Sequence, residues 1–335
     1  MKVIIPAAGA GKRLFPHTYT KPKPMVYIAG KPIIGHILDK MRDIEPEEVI
    51  LVVGYKKELL ISYVEKYYSG SMNITFVEQA EQLGLGHSIY VARDAVRNSE
   101  IMIALGDMIF RAGYVDFLKK HIANGKCAGS IGVTQVSDPS KYGIVELDEK
   151  SCVRGLEEKP SRPKSDLGIA GVYFIRDSKT LFEVLDEMIR NDVRYRSEFQ
   201  LTNALQEMVH RGRRLRTFMV SEWYDCGQAE SLLETNRVML EETGGFNNGA
   251  RVTESVVIPP VAFGENVSIS SSVIGPHASI ASDTEIDNSI ISNSIIGSGS
   301  HLSKVNLHSS IIGDDVKVRG KYNSLNIGDS SSVEF

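Results

Sequence analysis

The sequence predicts a mixed α/β protein. A parallel sheet covered by helices on both faces fills roughly the first 240 residues, and a parallel β-helix follows. Two observations carry that expectation. In the first part, short continuous apolar runs alternate with stretches of helical periodicity, as strands buried on both faces require. In the last part, branched aliphatics recur every five or six residues, a period that neither a helix nor a flat sheet has.

MKVIIPAA opens the chain as a buried strand. Ile33, Ile34, Ile37, Leu38 and Met41 then fall at helical spacing between Pro32 and Met41. VILVVG (Val49–Gly54) is a second apolar strand, and ELLISYVEKYY after it is helical. ITFVEQ, the helix of SIYVARDAV, IMIALGD and the helix of YVDFLKKHIANG continue the rhythm. Ligands of such sheets sit at the carboxyl ends of strands. Three expected strand ends carry unusual residues: Pro6–Arg13, Gln79–Gly84 and Gly106–Asp107. After Lys126, SIGVTQV, YGIVELD, CVRGLEEK and GIAGVYFI read as shorter, inserted strands ahead of helices near 179–191, 199–211 and 228–243. Gly244–Ala250 (GGFNNGA) breaks the chain and is the expected linker between domains 1–243 and 251–335.

Beyond Thr253, four stretches align: SVIGPHASI, SIIGSGSHL, SIIGDDVKV and NIGDSSSV, with glycines at 275, 297, 313 and 328. The aliphatics Ile274, Ile280, Ile286, Ile291, Ile296, Leu302, Leu307, Ile312 and Val318 keep the period. Such spacing fits turns of three short faces, each pointing one aliphatic inward. A Ser-rich disordered tail would lack regular aliphatics.

Composition sets the outer bounds. A chain of 335 residues is long for one domain, and 42% hydrophobic residues exclude wholesale disorder. The formal net charge of -4 leaves no global basic field for nucleic acid, although a local cluster can hold phosphates. Cys127, Cys152 and Cys226 are too few and scattered for a disulfide framework or a zinc site, so a reducing, cytoplasmic setting is expected. MKVIIPAAGAGKR lacks the apolar core of a signal peptide, and no apolar run approaches the roughly 20 residues of a membrane helix.

The sharpest local signal is GAGKRLFPHTYTKPKPMVYIAGKP, Gly9–Pro32. Glycines let backbone N–H groups approach an anion, and Arg13 and Lys23 bring cations for adjacent phosphates. No GK[ST] of a Walker A loop is present. An NAD-dependent oxidoreductase is disfavoured, because charge follows Gly9-Ala10-Gly11 and Gly54-Tyr55-Lys56 stands where an acidic residue belongs.

The whole string resembles the signature of the sugar-1-phosphate nucleotidylyltransferases, GxGTRLxPxTxxxPKPLxxxxGKP. It departs only at Lys12 for Thr and Met25 for Leu. The likeness is closest to the long-form glucose-1-phosphate thymidylyltransferases, by motif over 1–240 and by architecture over 250–335. It implies a doubly wound, Rossmann-like nucleotidyltransferase domain followed by a left-handed β-helix of hexapeptide repeats. It further implies that Ala8, Gly9, Gly11, Arg13 and Asp107 bind the nucleotide, and that Gln79 and the Gly84 backbone read its base. Asp107 and Asp225 would hold Mg2+, which neutralises two carboxylates costly to bury together. Tyr142, Gly143, Glu158, Lys159, Gly171 and Val172 match the hexose loops, with Tyr173 beside them. Arg13, Lys23 and Lys159 would be the catalytic cations. Glu198 is a weaker match that a helix start explains as well. Met108 stands where the family often has a polar residue, and His87 is expected to be a packing or surface residue.

The reaction so implied joins dTTP or UTP to glucose 1-phosphate, giving an NDP-sugar and pyrophosphate. The attacking phosphate is already a dianion, so positioning and charge neutralisation suffice without a general base. Expected partners are these two substrates and further copies of the chain in a homo-oligomer, with neither nucleic acid nor membrane. A second reading is a UTP-dependent N-acetylglucosamine-1-phosphate uridylyltransferase, bifunctional with an acetyltransferase in the β-helix, where His277, His301 and His308 are available. A third is a non-catalytic relative that binds sugar nucleotides for regulation. It predicts loss of a charged motif residue, yet Arg13, Lys23, Asp107, Lys159 and Asp225 are all present.

Overall fold

The computed structural model describes residues 1–321. It divides the chain into two units. The first comprises Met1–Val26 with Pro32–Ser231, and the second comprises Tyr27–Lys31 with the chain from Leu232 onward.

In chain order the strands up to residue 225 are β1 (Lys2–Pro6), β2 (Tyr27–Ile28), β3 (Lys31–Pro32), β4 (Glu48–Val53), β5 (Ile74–Glu78) and β6 (Ile101–Ala104). They continue as β7 (Met108–Phe110), β8 (Gly129–Gln135), β9 (Gly143–Leu147), β10 (Val153–Glu158), β11 (Leu167–Ile175), β12 (Leu215–Met219) and β13 (Trp223–Asp225). The main sheet has the order β10-β9-β11-β6-β1-β4-β5, with β8 added on β11 and β12 on β8. β1 lies parallel to β4 and β6, and β4 parallel to β5. The chain steps from β1 outward through β4 and β5, then returns to place β6 on the other side of β1. That reversal opens a crevice at the carboxyl ends of β1 and β6, where doubly wound sheets take their ligands.

Helices α1 (Ile33–Met41), α2 (Lys57–Tyr67), α3 (Leu85–Val91), α4 (Arg93–Val96), α5 (Tyr114–Ala123), α6 (Ser178–Arg190) and α7 (Leu201–His210) belong to this unit. Alternate strand residues Ile4, Ile50, Val52, Ile101 and Ile103 share a core with Ile89, Leu181 and Leu205. Val3, Ile5, Val49, Leu51 and Met102 are equally buried on the opposite face. Both faces being covered, the strands read as unbroken apolar runs.

The strands after Lys126 extend the main sheet, and not all of them are as short as the sequence suggests. β11 is nine residues long and runs antiparallel beside β6, with Val172 opposite Ala104 and Ile175 opposite Ile101. Glycine permits this closeness, since a side chain at Gly171 (φ +77°) would strike Leu105 and Met108.

In the second unit three parallel sheets stack strands of two or three residues, one sheet for each face of a β-helix. Ile269 pairs with Ile286, and Ile286 with Leu302, one turn apart. Ile274, Ile280, Ile286, Ile291, Ile296 and Leu302 are buried in a single core, with Leu307, Ile312 and Val318 packed against it. The serine content has a structural cause. Buried Ser272, Ser289, Ser294 and Ser300 each accept from a backbone N–H of the next turn, at 3.0–3.2 Å. The segment expected as a linker already belongs to this stack, because Gly245–Asn247 pairs in parallel with Val261–Phe263. The expected repeat NIGDSSSV lies outside the described residues.

The short span 27–31 also belongs here. Asn236, fully buried on α8 (Ala229–Thr243), accepts from Ala29 N–H at 2.8 Å and from the Ser279 hydroxyl at 2.6 Å. Its amide donates to the His277 carbonyl at 3.2 Å. Gly30 (φ +91°) has the Phe246 ring where a Cβ would stand.

Candidate active site

At the end of β1 the chain turns through Gly9–Gly11 into a short 3-10 turn at Lys12–Leu14. Gly11 sits at φ +63°, and a Cβ there would come within 2.9 Å of Lys23 Cβ. Buried Thr18 donates to the Gly11 carbonyl at 2.8 Å and fixes the turn. The loop lines a cavity of about 680 Å³ whose walls include Ala8, Gly9, Gly11, Lys12, Arg13, Lys23, Gln79, Gly84 and Asp107. All three strand ends singled out by sequence therefore meet in one place.

Asp107 and Asp225 are brought together by non-local pairing. β7 and β13 run antiparallel with Asp225 opposite Met108, and Cys226 N–H donates to the Asp107 carbonyl at 3.1 Å. The buried Lys23 ammonium lies 2.5 Å from Asp107 Oδ2 and 3.6 Å from Asp225 Oδ1. One cation thus already sits between the two carboxylates. Among the described residues no group of three or more His, Cys, Asp or Glu converges. Two carboxylates are nonetheless the donor set that a hard divalent cation takes when substrate phosphates and water complete its shell.

A second cavity, about 470 Å³, is lined by Tyr142, Gly143, Glu158, Lys159, Gly171, Tyr173, Thr202 and Asp225. Arg13, Leu85, Leu105 and Asp107 line both cavities. Glu158 accepts from Thr202 Oγ1 at 2.7 Å and has Lys159 Nζ at 3.7 Å. Gly143 keeps this carboxylate accessible, since a Cβ there would lie 3.1 Å from Glu158 Oε2. Tyr142 packs edge-on to Trp223, and burial followed by the Asp225 charge pushes its phenol up.

Some sequence expectations end elsewhere. Val172 is fully buried within β11 and does not line the second cavity, whereas its neighbours Gly171 and Tyr173 do. Glu198 lines the first cavity instead of the second. Gln82, which donates to the Ala8 carbonyl at 3.2 Å, was missed, as was Thr202. Gln82 stands in the same QAEQLG string as Gln79, but Thr202 carries no motif signal.

Comparison with known proteins agrees with this geometry. The family model described as nucleotidyl transferase matches residues 2–242. A glucose-1-phosphate thymidylyltransferase of Streptomyces antibioticus is 31% identical over the whole of this chain and 99% of its own length. The bifunctional protein GlmU of Methanocaldococcus jannaschii is 34% identical over 77% of this chain and 59% of its own. Among solved structures, a UDP-glucose pyrophosphorylase complexed with UDP-glucose superposes with a TM-score of 0.62 at 25% identity, covering 72% of this chain and 98% of that one. With a family model matched over residues 2–242 and a relative 31% identical along the whole chain, the chain belongs to the nucleotidyl transferase family and is an enzyme.

Proposed function

We propose that the enzyme transfers a nucleoside monophosphate from dTTP or UTP to glucose 1-phosphate, releasing pyrophosphate. The observation that carries this reading is the meeting of the two cavities at Arg13 and Asp107. A nucleotide in the first and a sugar phosphate in the second have their phosphates side by side there.

The sugar phosphate oxygen attacks the α-phosphorus in line and the bond to pyrophosphate breaks. No proton needs to move, so the chain's contribution is geometry and charge. Arg13 holds the leaving pyrophosphate, and Lys159 holds the attacking phosphate. Asp107 and Asp225 would hold Mg2+, which would supply charge neutralisation at the substrate phosphates. Lys23, which pairs with both carboxylates, would bridge the two substrates' phosphates. Gln79 and Gly84 read the base, and Glu158 accepts from the hexose hydroxyls.

Uridylyl transfer to N-acetylglucosamine 1-phosphate is the second reading, supported by the likeness to GlmU. The acetyltransferase part of that reading would draw on three histidines of the β-helix. His277 and His301 face Glu241 and Glu285 at 3.2 and 3.4 Å, and His308 faces Ser292 at 2.9 Å. Pyrophosphate release measured over a grid of nucleoside triphosphates and hexose 1-phosphates tests the proposal. Release with dTTP or UTP and glucose 1-phosphate is expected; silence across the grid would overturn it.

A further inference from the structure

Gln79 is almost wholly buried at the edge of the first cavity. Its Nε2 donates to the Gly84 carbonyl at 3.2 Å and lies 3.0 Å from His87 Nδ1 on α3. A carboxamide nitrogen carries two hydrogens, and these two contacts use both. The contact with His87 requires Nδ1 to accept, so the imidazole is neutral with its proton on Nε2.

The groups around the ring suit that state. Glu81 stands in the loop before α3, Arg194 comes from the segment after α6, and the Phe199 ring lies 6.5 Å away. Burial foremost, and then Arg194, lower the imidazole pKa, while Glu81 opposes them through a backbone hydrogen bond and its charge. With Nε2 turned inward, Oε1 is the amide's free end, and no described group donates to it. No described group accepts from the Gly84 N–H either. A side chain at Gly84 (φ +106°) would fall 2.7 Å from the Phe199 carbonyl, so the glycine backbone stays in place.

The pair offers one acceptor and one donor. Uracil and thymine match it with N3–H beside a carbonyl oxygen, whereas cytosine in the same placement turns its N3 lone pair toward Oε1. We propose that His87 is a positioning residue that locks the Gln79 carboxamide with its oxygen toward the base, and so makes the site reject cytosine. The inference rests on the reading above, in which Gln79 contacts the base.

The experiment compares kcat/KM for UTP or dTTP with that for CTP in the wild type and in H87N, H87L and Q79L. Asn offers Oδ1 where His offers Nδ1, so H87N keeps the preference. H87L leaves one Gln79 N–H without an acceptor, and the preference falls roughly tenfold or more. An unchanged preference in H87L beside a lost one in Q79L overturns the lock. Equal loss in H87N and H87L reduces His87 to packing and also overturns it. An unchanged preference in Q79L overturns the base reading itself. The wild-type enzyme provides a test free of folding defects. Nitrogen NMR of the His87 ring at neutral pH should show the proton on Nε2, and a proton on Nδ1 refutes the lock.

Discussion

Lys23 and Asp107 form a direct ion pair at 2.5 Å, with the ammonium buried and Asp225 on its other side. An ammonium wedged between two carboxylates holds the place of a second cation. K23A should reduce turnover by about 10²-fold or more, since a charge that opposes developing negative charge is lost. Its second effect is on stability. Without Lys23 the two carboxylates repel, so the melting temperature should fall in chelator and recover with Mg2+ by more than the wild type gains. Thermal melts of both proteins with and without Mg2+ check this, and equal Mg2+ responses would count against it.

Gly11 supports the same lysine from behind. G11A places a methyl group against Lys23 Cβ at a backbone angle of +63°. The strain should cost about 1–3 kcal/mol. Activity should fall further than the folded fraction does, because the displaced neighbour is Lys23 itself. Chemical denaturation together with initial rates separates the two losses.

Glu158 and its partner Thr202 line the second cavity, proposed above for the sugar phosphate. E158Q keeps the shape and removes the charge-assisted acceptor. The KM for the sugar 1-phosphate should rise about tenfold while the KM for the nucleotide stays near wild type. A rise in both would place Glu158 outside the sugar subsite.

Glu100 gives a pH dependence away from the site. Its hydrogen bond with His121 (3.0 Å), then the charges of His121 and Arg176, hold its carboxyl below the ordinary value of 4.5 against the opposing effect of burial. A depressed folded-state pKa contributes stability that is complete above pH 4.5 and is lost as pH falls through the lower folded value. E100Q should therefore be less stable than wild type at pH 7, by no more than about 1 kcal/mol for so exposed a group, and equal to it in strong acid. Urea midpoints across pH 3–7 measure the convergence.

In the β-helix, Ile291 is fully buried in the aliphatic core. I291A should cost about 2–5 kcal/mol. Each turn meets only its neighbours, so the loss should appear as faster amide exchange near turns 273–274 and 306–308. Uniform acceleration along the whole chain would contradict that locality.

The parts legible in the sequence were those set by local periodicity. Strand ends at Pro6, Gln79 and Gly106 followed from apolar runs that stop at unusual residues, and the solenoid followed from aliphatics that keep their period from Ile274 to Val318. What long-range pairing decides was not legible. Nothing local to WYDCG says that Asp225 will face Met108 across a two-stranded ribbon, or that β11 will lie beside β6. His87 read as a packing or surface residue because its 3.0 Å contact with Gln79 Nε2 leaves no mark in the sequence. Val172 lies outside the cavity lining for the converse reason. Neighbouring strand residues face opposite ways, so a matched motif does not put every member in the cavity.

The segment 27–31 interrupts the nucleotide signature, four residues after Lys23, yet its hydrogen-bond partner is Asn236 in the other unit's fold. The second unit is therefore not contiguous in the sequence. A recombination event that cut once, anywhere near residue 231, would carry off a first unit with five residues of the second still embedded in it. Such a cut keeps Ala29 but removes the Asn236 side chain that accepts from its N–H.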